Sequence, residues 1–190
     1  MRVGLFGGTF NPIHNGHLII AQECWYQLEL DKVIFIPAFI APHKKNRESV
    51  SAADRLNMLR IALEGYSRFE ISTYEIDKNG VSYTIDTVKH FVCVYGDENE
   101  YFFISGADSL AQLSAWKDPE GILKYVRFVA VSRPGYNMDS VNRDGIIKVN
   151  MPGVDISSTI IRRRIKNREP VDFWLPVNVV KYIRNKGLYR

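Results

Sequence analysis

The sequence predicts an α/β fold: a Rossmann-like, mainly parallel sheet with helices on both faces and a small C-terminal helical portion. Three observations predict it. Strand-like and helix-like segments alternate along the chain, which is the pattern of βαβ units around a parallel sheet. The strands are short apolar runs, as burial under helices on both faces requires. The first strand ends in Gly7-Gly8 and leads into a helix, a junction where a ligand can approach the backbone closely.

The elements follow in order. Arg2 to Phe6 reads as a strand and Gly16 to Leu28 as a helix. Val33 to Ile36, set between Lys32 and Pro37, reads as a buried strand. Ala52 to Leu63 is helical, because Leu56, Leu59 and Leu63 recur at spacings of three and four. Phe69 to Ile76 reads as a strand, Thr84 to Tyr95 as a helix and Tyr101 to Ser105 as a strand. Asp108 to Leu113 and Pro119 to Tyr125 read as short helices. Arg127 to Ser132 is a strand closed by Arg133-Pro134-Gly135, and Ile146 to Asn150 is a further short strand. Pro134 to Asp144 is polar and rich in turn formers, the signature of a long mobile loop. Ser157 to Lys166 forms a helix with cap candidates in Asp155 to Ser158. Pro176 to Lys186 forms another, with Pro near its first turn and Gly187 as its C-cap. One domain over residues 1–190 is expected, with 156–190 as its C-terminal helical portion.

The chain has 190 residues, 46% apolar and 24% charged. That composition excludes a collagen-like or disordered chain. A chain of this length buries roughly 70% of its unfolded surface and needs neither disulfide nor metal to fold. Its apolar runs are too short to span a membrane, and its N-terminus lacks a signal-peptide h-region and cleavage site. A soluble cytoplasmic protein without a membrane partner is expected. Cys24 and Cys93 form no metal-binding spacing and are expected as buried, reduced thiols. Lys and Arg total 25 against 21 Asp and Glu, a formal charge of +4. That favours anionic partners without choosing between a nucleotide and a nucleic acid.

The first strand–helix junction carries the most chemistry: Gly7-Gly8-Thr9-Phe10-Asn11-Pro12-Ile13-His14-Asn15-Gly16-His17. The glycines permit close approach, and the helix start offers free N–H groups and a positive dipole end to phosphate. His14 and His17 are three apart at that helix start, so both rings can face one ligand and donate to phosphate oxygens. The stretch is neither GxGxxG nor GxxxxGK[ST], so neither a redox dinucleotide nor a P-loop NTPase is supported. Metal ligation by the two histidines is the weaker alternative, since the others are only His43 and His90, and His90 reads as structural. Ser158 and Arg162 are four apart, on one helical face, and with Ser157 and the helix amides they can clasp a polyphosphate. Capping by Ser157 or Ser158 alone is the plainer reading. Gly106 and Asp108 end a strand at the carboxyl edge of the sheet, where ligands bind in such folds. Asp108 can accept from ribose hydroxyls or cap the next helix. Trp116 can stack on a planar ring or anchor the core.

GGTFNPIHNGHL resembles the first motif of the nucleotidyltransferase superfamily named for its (H/T)xGH signature. Within it the chain resembles the bacterial nicotinate-nucleotide adenylyltransferases. Pro42-His43-Lys44, Ser82 to Thr87, Ile104 to Asp108, Trp116, Arg133-Pro134-Gly135 and Ile156 to Arg162 extend the resemblance over nearly the whole chain. One departure is Asn11, where family members often carry Asp. Asn keeps the hydrogen-bonding capacity and loses the charge.

The resemblance implies transfer of the adenylyl group of ATP to nicotinate mononucleotide, giving deamido-NAD and pyrophosphate. His14, His17, Lys44 and Arg162 would be the catalytic residues. Gly7, Gly8, Thr9, Phe10, Gly106, Asp108, Ser157 and Ser158 would join His14, His17 and Arg162 in binding ATP. Lys44, Tyr83, Thr84 and Trp116 would bind the nicotinate nucleotide. Mg²⁺ would arrive with ATP, since it commonly binds substrate phosphates with few protein ligands. The alternatives are pantetheine-phosphate adenylyltransferase and a non-catalytic nucleotide sensor. No nucleic-acid partner is expected, because no RNP-like motif or basic tail accompanies Arg162 to Arg168. A homo-oligomer stays open.

Overall fold

A computed structural model describes residues 1–42, 50–110, 112–131, 145–151, 153 and 155–190, without the side chains of Ala107 and Asp108. The elements are β1 (Arg2–Gly8), α1 (Asn15–Gln27), β2 (Lys32–Pro37), α2 (Ala52–Leu63), β3 (Phe69–Ile71), α3 (Tyr74–Asp77), α4 (Thr84–Tyr95) and β4 (Glu100–Gly106). They continue with α5 (Ala107–Leu110), a 3₁₀ turn (Leu113–Ala115), α6 (Pro119–Leu123), β5 (Val126–Val131), β6 (Ile146–Val149), α7 (Ser158–Lys166) and α8 (Val177–Lys186).

The six strands form one sheet in the order β3-β2-β1-β4-β5-β6, and every pairing is parallel. The chain order reverses between β1 and β4. In an open α/β sheet the crevice beyond the carboxyl ends of the strands at such a reversal is the ligand site. Register places Phe6 opposite Ile104, so Gly8 and Gly106, each two residues further on, end their strands at the same level.

The two faces are separate cores, because successive side chains in a strand point oppositely. Val33, Phe35, Phe102, Ile104, Val129 and Val131 join the core under α1, α2, α7 and α8. Val3, Leu5, Ile34, Ile36, Tyr101, Phe103 and Phe128 join the core under α4 and α6. The C-terminal helices thus share a core with the first two: Ile161, Val179, Val180 and Ile183 pack with Met58 and Leu59. Gly187 ends α8 at φ 62°, a left-handed cap that glycine adopts without a Cβ penalty.

Four expectations are corrected. The strand read over Phe69 to Ile76 ends at Ile71, and Tyr74–Asp77 is helical. Ser72 N–H bonds the Phe35 carbonyl at 3.0 Å; beyond it the chain leaves the sheet. The helix read over Asp108 to Leu113 is the short α5 followed by a 3₁₀ turn. The helix read to Tyr125 ends at Leu123. Cys93 is exposed, whereas Cys24 is buried. The loop expected over Pro134 to Asp144 lies outside the described residues. No helix among the described residues is long and apolar enough to cross a membrane.

The two thiols should differ in reactivity. Burial pushes the Cys24 thiol up to about 12, and the reactive species is the thiolate. An aromatic disulfide reagent is expected to modify one thiol per native chain, at Cys93, and the second only in denaturant. Equal rates for both thiols in the native protein would contradict this placement.

Candidate active site

The turn after β1 is built for close packing. A Cβ on Gly8 would meet the Phe10 ring at 3.0 Å. Phe10 itself has φ 48°, a left-handed conformation that costs a non-glycine residue roughly 1–2 kcal/mol. Its ring is 2% exposed and packs edge-on to Phe6, with centroids 5.6 Å apart, and to His17 at 5.1 Å. The expectation that Phe10 binds ATP is therefore limited to its backbone, since its side chain is a core shelf under His17.

His14 and His17 do come together, but not as equals. Their rings stack with centroids 3.7 Å apart. His14 is 2% exposed, and His17 is half-buried. A Cβ on Gly16 would sit 3.0 Å from His14 Nδ1, which explains glycine between the histidines. His14 is the N-cap of α1, and its backbone N–H donates to His17 Nδ1 at 3.2 Å. Accepting at Nδ1 puts the proton of the neutral His17 ring on Nε2.

The start of α7 is stitched to the same turn. Ser157 is the N-cap, and its hydroxyl accepts from Ile160 N–H at 3.3 Å. Ser158 donates its hydroxyl to the Pro12 carbonyl at 2.9 Å. Arg162 Nη1 donates to the Asn11 carbonyl at 2.8 Å, and Nη2 to Thr159 Oγ1 at 3.2 Å. These bonds use two of the five guanidinium N–H donors. Two motifs about 150 residues apart in sequence thus meet over the sheet reversal. The buried Asn11 amide oxygen accepts from the Tyr189 hydroxyl at 2.5 Å. A neutral acceptor makes that bond without the desolvation cost of a carboxylate.

Across β4 lies a cleft lined by Pro42, Tyr83, Thr84, Ala115, Trp116 and Lys117. It gathers three of the four expected mononucleotide residues. Tyr83 is the N-cap of α4, and its side chain caps no helix N–H, so the first turn of that helix opens at the cleft. Trp116 is half-buried and meets Phe103 and Phe128 edge-on, at 6.0 and 5.8 Å. It is both core anchor and cleft wall. Lys117 Nζ stands 4.4 Å over the Tyr83 ring and 3.5 Å from Asp86. Asp86 also takes Lys78 at 2.6 Å, which holds its carboxyl below the ordinary value. His90 stacks on Tyr74 at 3.7 Å, away from both sites, as a structural residue would.

Two groups that the sequence reading missed tie the sites together. Arg55 is 1% exposed; its Nη1 donates to the Thr9 carbonyl at 2.8 Å and its Nη2 to the Phe39 carbonyl at 3.2 Å. Glu75 on α3 is buried and accepts from Thr87 Oγ1 at 2.5 Å. Burial pushes its carboxyl up, against the opposing pull of the Thr87 and Ser82 hydroxyls. The Ser82 hydroxyl in turn accepts from Phe39 N–H at 3.1 Å. A buried arginine in a helix reads as a surface charge from sequence, and α3 was read as strand.

Lys44 and the Asp108 side chain lie outside the described residues. Gly106 ends β4 at the crevice. Among the described residues, no three His, Cys, Asp or Glu side chains are grouped to hold a metal ion. The donors present suit phosphate instead: imidazole, guanidinium, hydroxyl and helix amides.

The cytidylyltransferase-like family model matches residues 5–164. A protein of Moorella thermoacetica described as "Probable nicotinate-nucleotide adenylyltransferase" is 41% identical over 100% of this chain and 92% of its own length. One of Halalkalibacterium halodurans with the same description is 43% identical over 100% and 91%. Plasmodium falciparum nicotinic acid mononucleotide adenylyltransferase complexed with NaAD superposes with a TM-score of 0.81 at 16% identity, covering 99% of this chain and 97% of that one. A Vibrio parahaemolyticus structure described as a "Putative Nicotinate-nucleotide Adenylyltransferase" gives 0.73 at 17% identity, covering 100% and 96%. At these identities the solved structures bear on the fold alone. The sequence relatives bear on more, and this chain belongs to the cytidylyltransferase-like family and, within it, to the nicotinate-nucleotide adenylyltransferases.

Proposed function

We propose that this chain, acting as a single nucleotidyltransferase domain, joins nicotinate mononucleotide to the adenylyl group of ATP, forming deamido-NAD and pyrophosphate. One observation carries the reading. A phosphate-type site of His14, His17, Ser157 and Arg162 and an aromatic cleft of Tyr83 and Trp116 flank the same sheet reversal.

The mononucleotide's 5′-phosphate oxygen attacks the α-phosphorus of ATP. The bond from that phosphorus to the β-phosphate oxygen breaks, and pyrophosphate leaves. No protein nucleophile is needed, so the protein works by positioning and by stabilising charge. His17 donates from Nε2 to phosphate oxygens, supported by the buried His14 ring stacked on it. Arg162 and Lys44 hold charged oxygens. Gly7, Gly8, Thr9 and the Phe10 backbone receive the nucleotide, Gly106 and Asp108 its ribose. The first turn of α7, with Ser157 as its cap, offers amides to the polyphosphate. Ser158 serves by fixing that turn to Pro12. Trp116 stacks on the pyridine ring, while Tyr83, Thr84 and the start of α4 meet its carboxylate. When it arrives with ATP, Mg²⁺ would supply charge neutralisation at the substrate phosphates.

Purified protein given Mg-ATP and each pyridine mononucleotide separately is expected to release pyrophosphate and form deamido-NAD much faster than NAD. Comparable rates would remove the acid preference and leave adenylyl transfer. No product with either, together with turnover of phosphopantetheine, would assign the chain to the neighbouring adenylyltransferase. ATP binding without pyrophosphate release would mark a nucleotide sensor.

A further inference from the structure

We infer that Glu75 is a positioning residue for the pyridine subsite, holding Thr87 and thereby setting where Tyr83 and Thr84 stand in the cleft. The inference rests on the proposed reading of that cleft as the mononucleotide subsite.

Ser82 and Thr87 flank the two cleft residues in sequence, and both are buried. The Thr87 hydroxyl donates to Glu75 Oε1, and the nearby Ser82 hydroxyl lowers the pKa of the same carboxyl against its burial. Ser82 Oγ accepts from Phe39 N–H. Ser82 N–H also donates to the Ile40 carbonyl at 2.9 Å, beside the bridge from Ile40 to Val81. The cleft segment is therefore pinned on one side by the chain after β2 and on the other by Glu75.

Glu75 is not a lining residue of the cleft, so it acts through the residue it holds. Burying a carboxylate is costly unless its bonds are made. An apolar residue of similar volume would fill the space without that cost. What it would not do is accept the Thr87 hydroxyl. That bond fixes a rotamer at Thr87, one helical turn past Tyr83, whose carbonyl accepts Thr87 N–H at 3.2 Å. Glu75 and Thr87 thus hold the N-terminal turn of α4 from within the core.

The test is steady-state kinetics of the full chain with Mg-ATP and nicotinate mononucleotide. Glu75→Ala is expected to raise KM for the mononucleotide about tenfold while KM for ATP stays within about twofold. Glu75→Gln, which keeps an acceptor oxygen, is expected to restore most of the loss. Thr87→Val, which removes one donor at nearly constant volume, is expected to give a smaller rise with the same selectivity. Equal changes in both KM values, or a Glu75→Gln variant as impaired as Glu75→Ala, would overturn the role. If Glu75→Ala does not fold, Thr87→Val decides, and an unchanged mononucleotide KM overturns the inference. A wild-type chain that adenylylates neither pyridine mononucleotide overturns the reading of the cleft and the inference with it. Wild-type turnover with unmoved variants overturns the role of Glu75 alone.

Discussion

His17→Ala is expected to lower turnover by about 10²–10³ while leaving the protein folded, the loss seen when one well-aimed donor is removed from a charge-stabilising site. The structural part of the change is small. His17 is half-buried, and its main fold contribution is the bond it accepts from His14 N–H at 3.2 Å. Loss of one such bond costs about 1 kcal/mol, or a melting shift of about 2–4 °C at this chain length. The catalytic part is larger because His17 Nε2–H is aimed by three supports: the N-cap bond at Nδ1, the stacked His14 ring and the Phe10 edge. Single-turnover measurement of pyrophosphate release, beside a thermal melt, separates the two. A folded variant with near-normal turnover would remove His17 from the reaction.

Much of this fold is written in local pattern. The runs Val33 to Ile36 and Phe128 to Val131 are apolar on both sides of the pleat, because each faces two cores. The leucine spacing of α2 and the Thr84 start of α4 set those helices to the residue. What was not legible depends on partners far away in sequence. Phe69 to Ile76 continues as apolar and β-branched residues past Ile71, but β2 pairs only with Phe69 to Ile71. Beyond Ile71 the chain follows a helix whose buried Glu75 takes its hydroxyl from Thr87, twelve residues on. A glutamate in that run carries no sign of such a partner.

The site divides in the same way. The meeting of the His14 and His17 rings was legible because both stand at one helix start. The role of Ser158 was not. Its hydroxyl was read as a phosphate contact or a cap, yet it goes to Pro12, 146 residues earlier, while Ser157 makes the cap. Phe10 was read as part of a ligand loop, and its ring turned out to be the packing beneath it. In both cases the side chain holds the backbone of the turn at which the phosphate site is proposed.

Arg55→Met is expected to cost about 2–6 kcal/mol of stability, the largest loss of any single change considered. The guanidinium is 1% exposed and donates to the Thr9 carbonyl on one side and the Phe39 carbonyl on the other. Met fills much of the volume, so little of the loss comes from a cavity. The loss comes from two carbonyls deprived of their donor, at about 1–3 kcal/mol each where they are shut off from water. Urea denaturation should show the midpoint falling with an unchanged slope, the sign of lost stability rather than a changed unfolded state. Activity should fall as well. Thr9 belongs to the turn proposed to receive the nucleotide, and Phe39 N–H is the group that orients Ser82 beside the cleft. One buried cation thus holds the phosphate turn and the cleft wall in fixed relation. Both KM values are therefore expected to rise, unlike the selective effect at Glu75. A stability loss below about 1 kcal/mol with unaltered KM values would show that the turn and the wall hold their places without it.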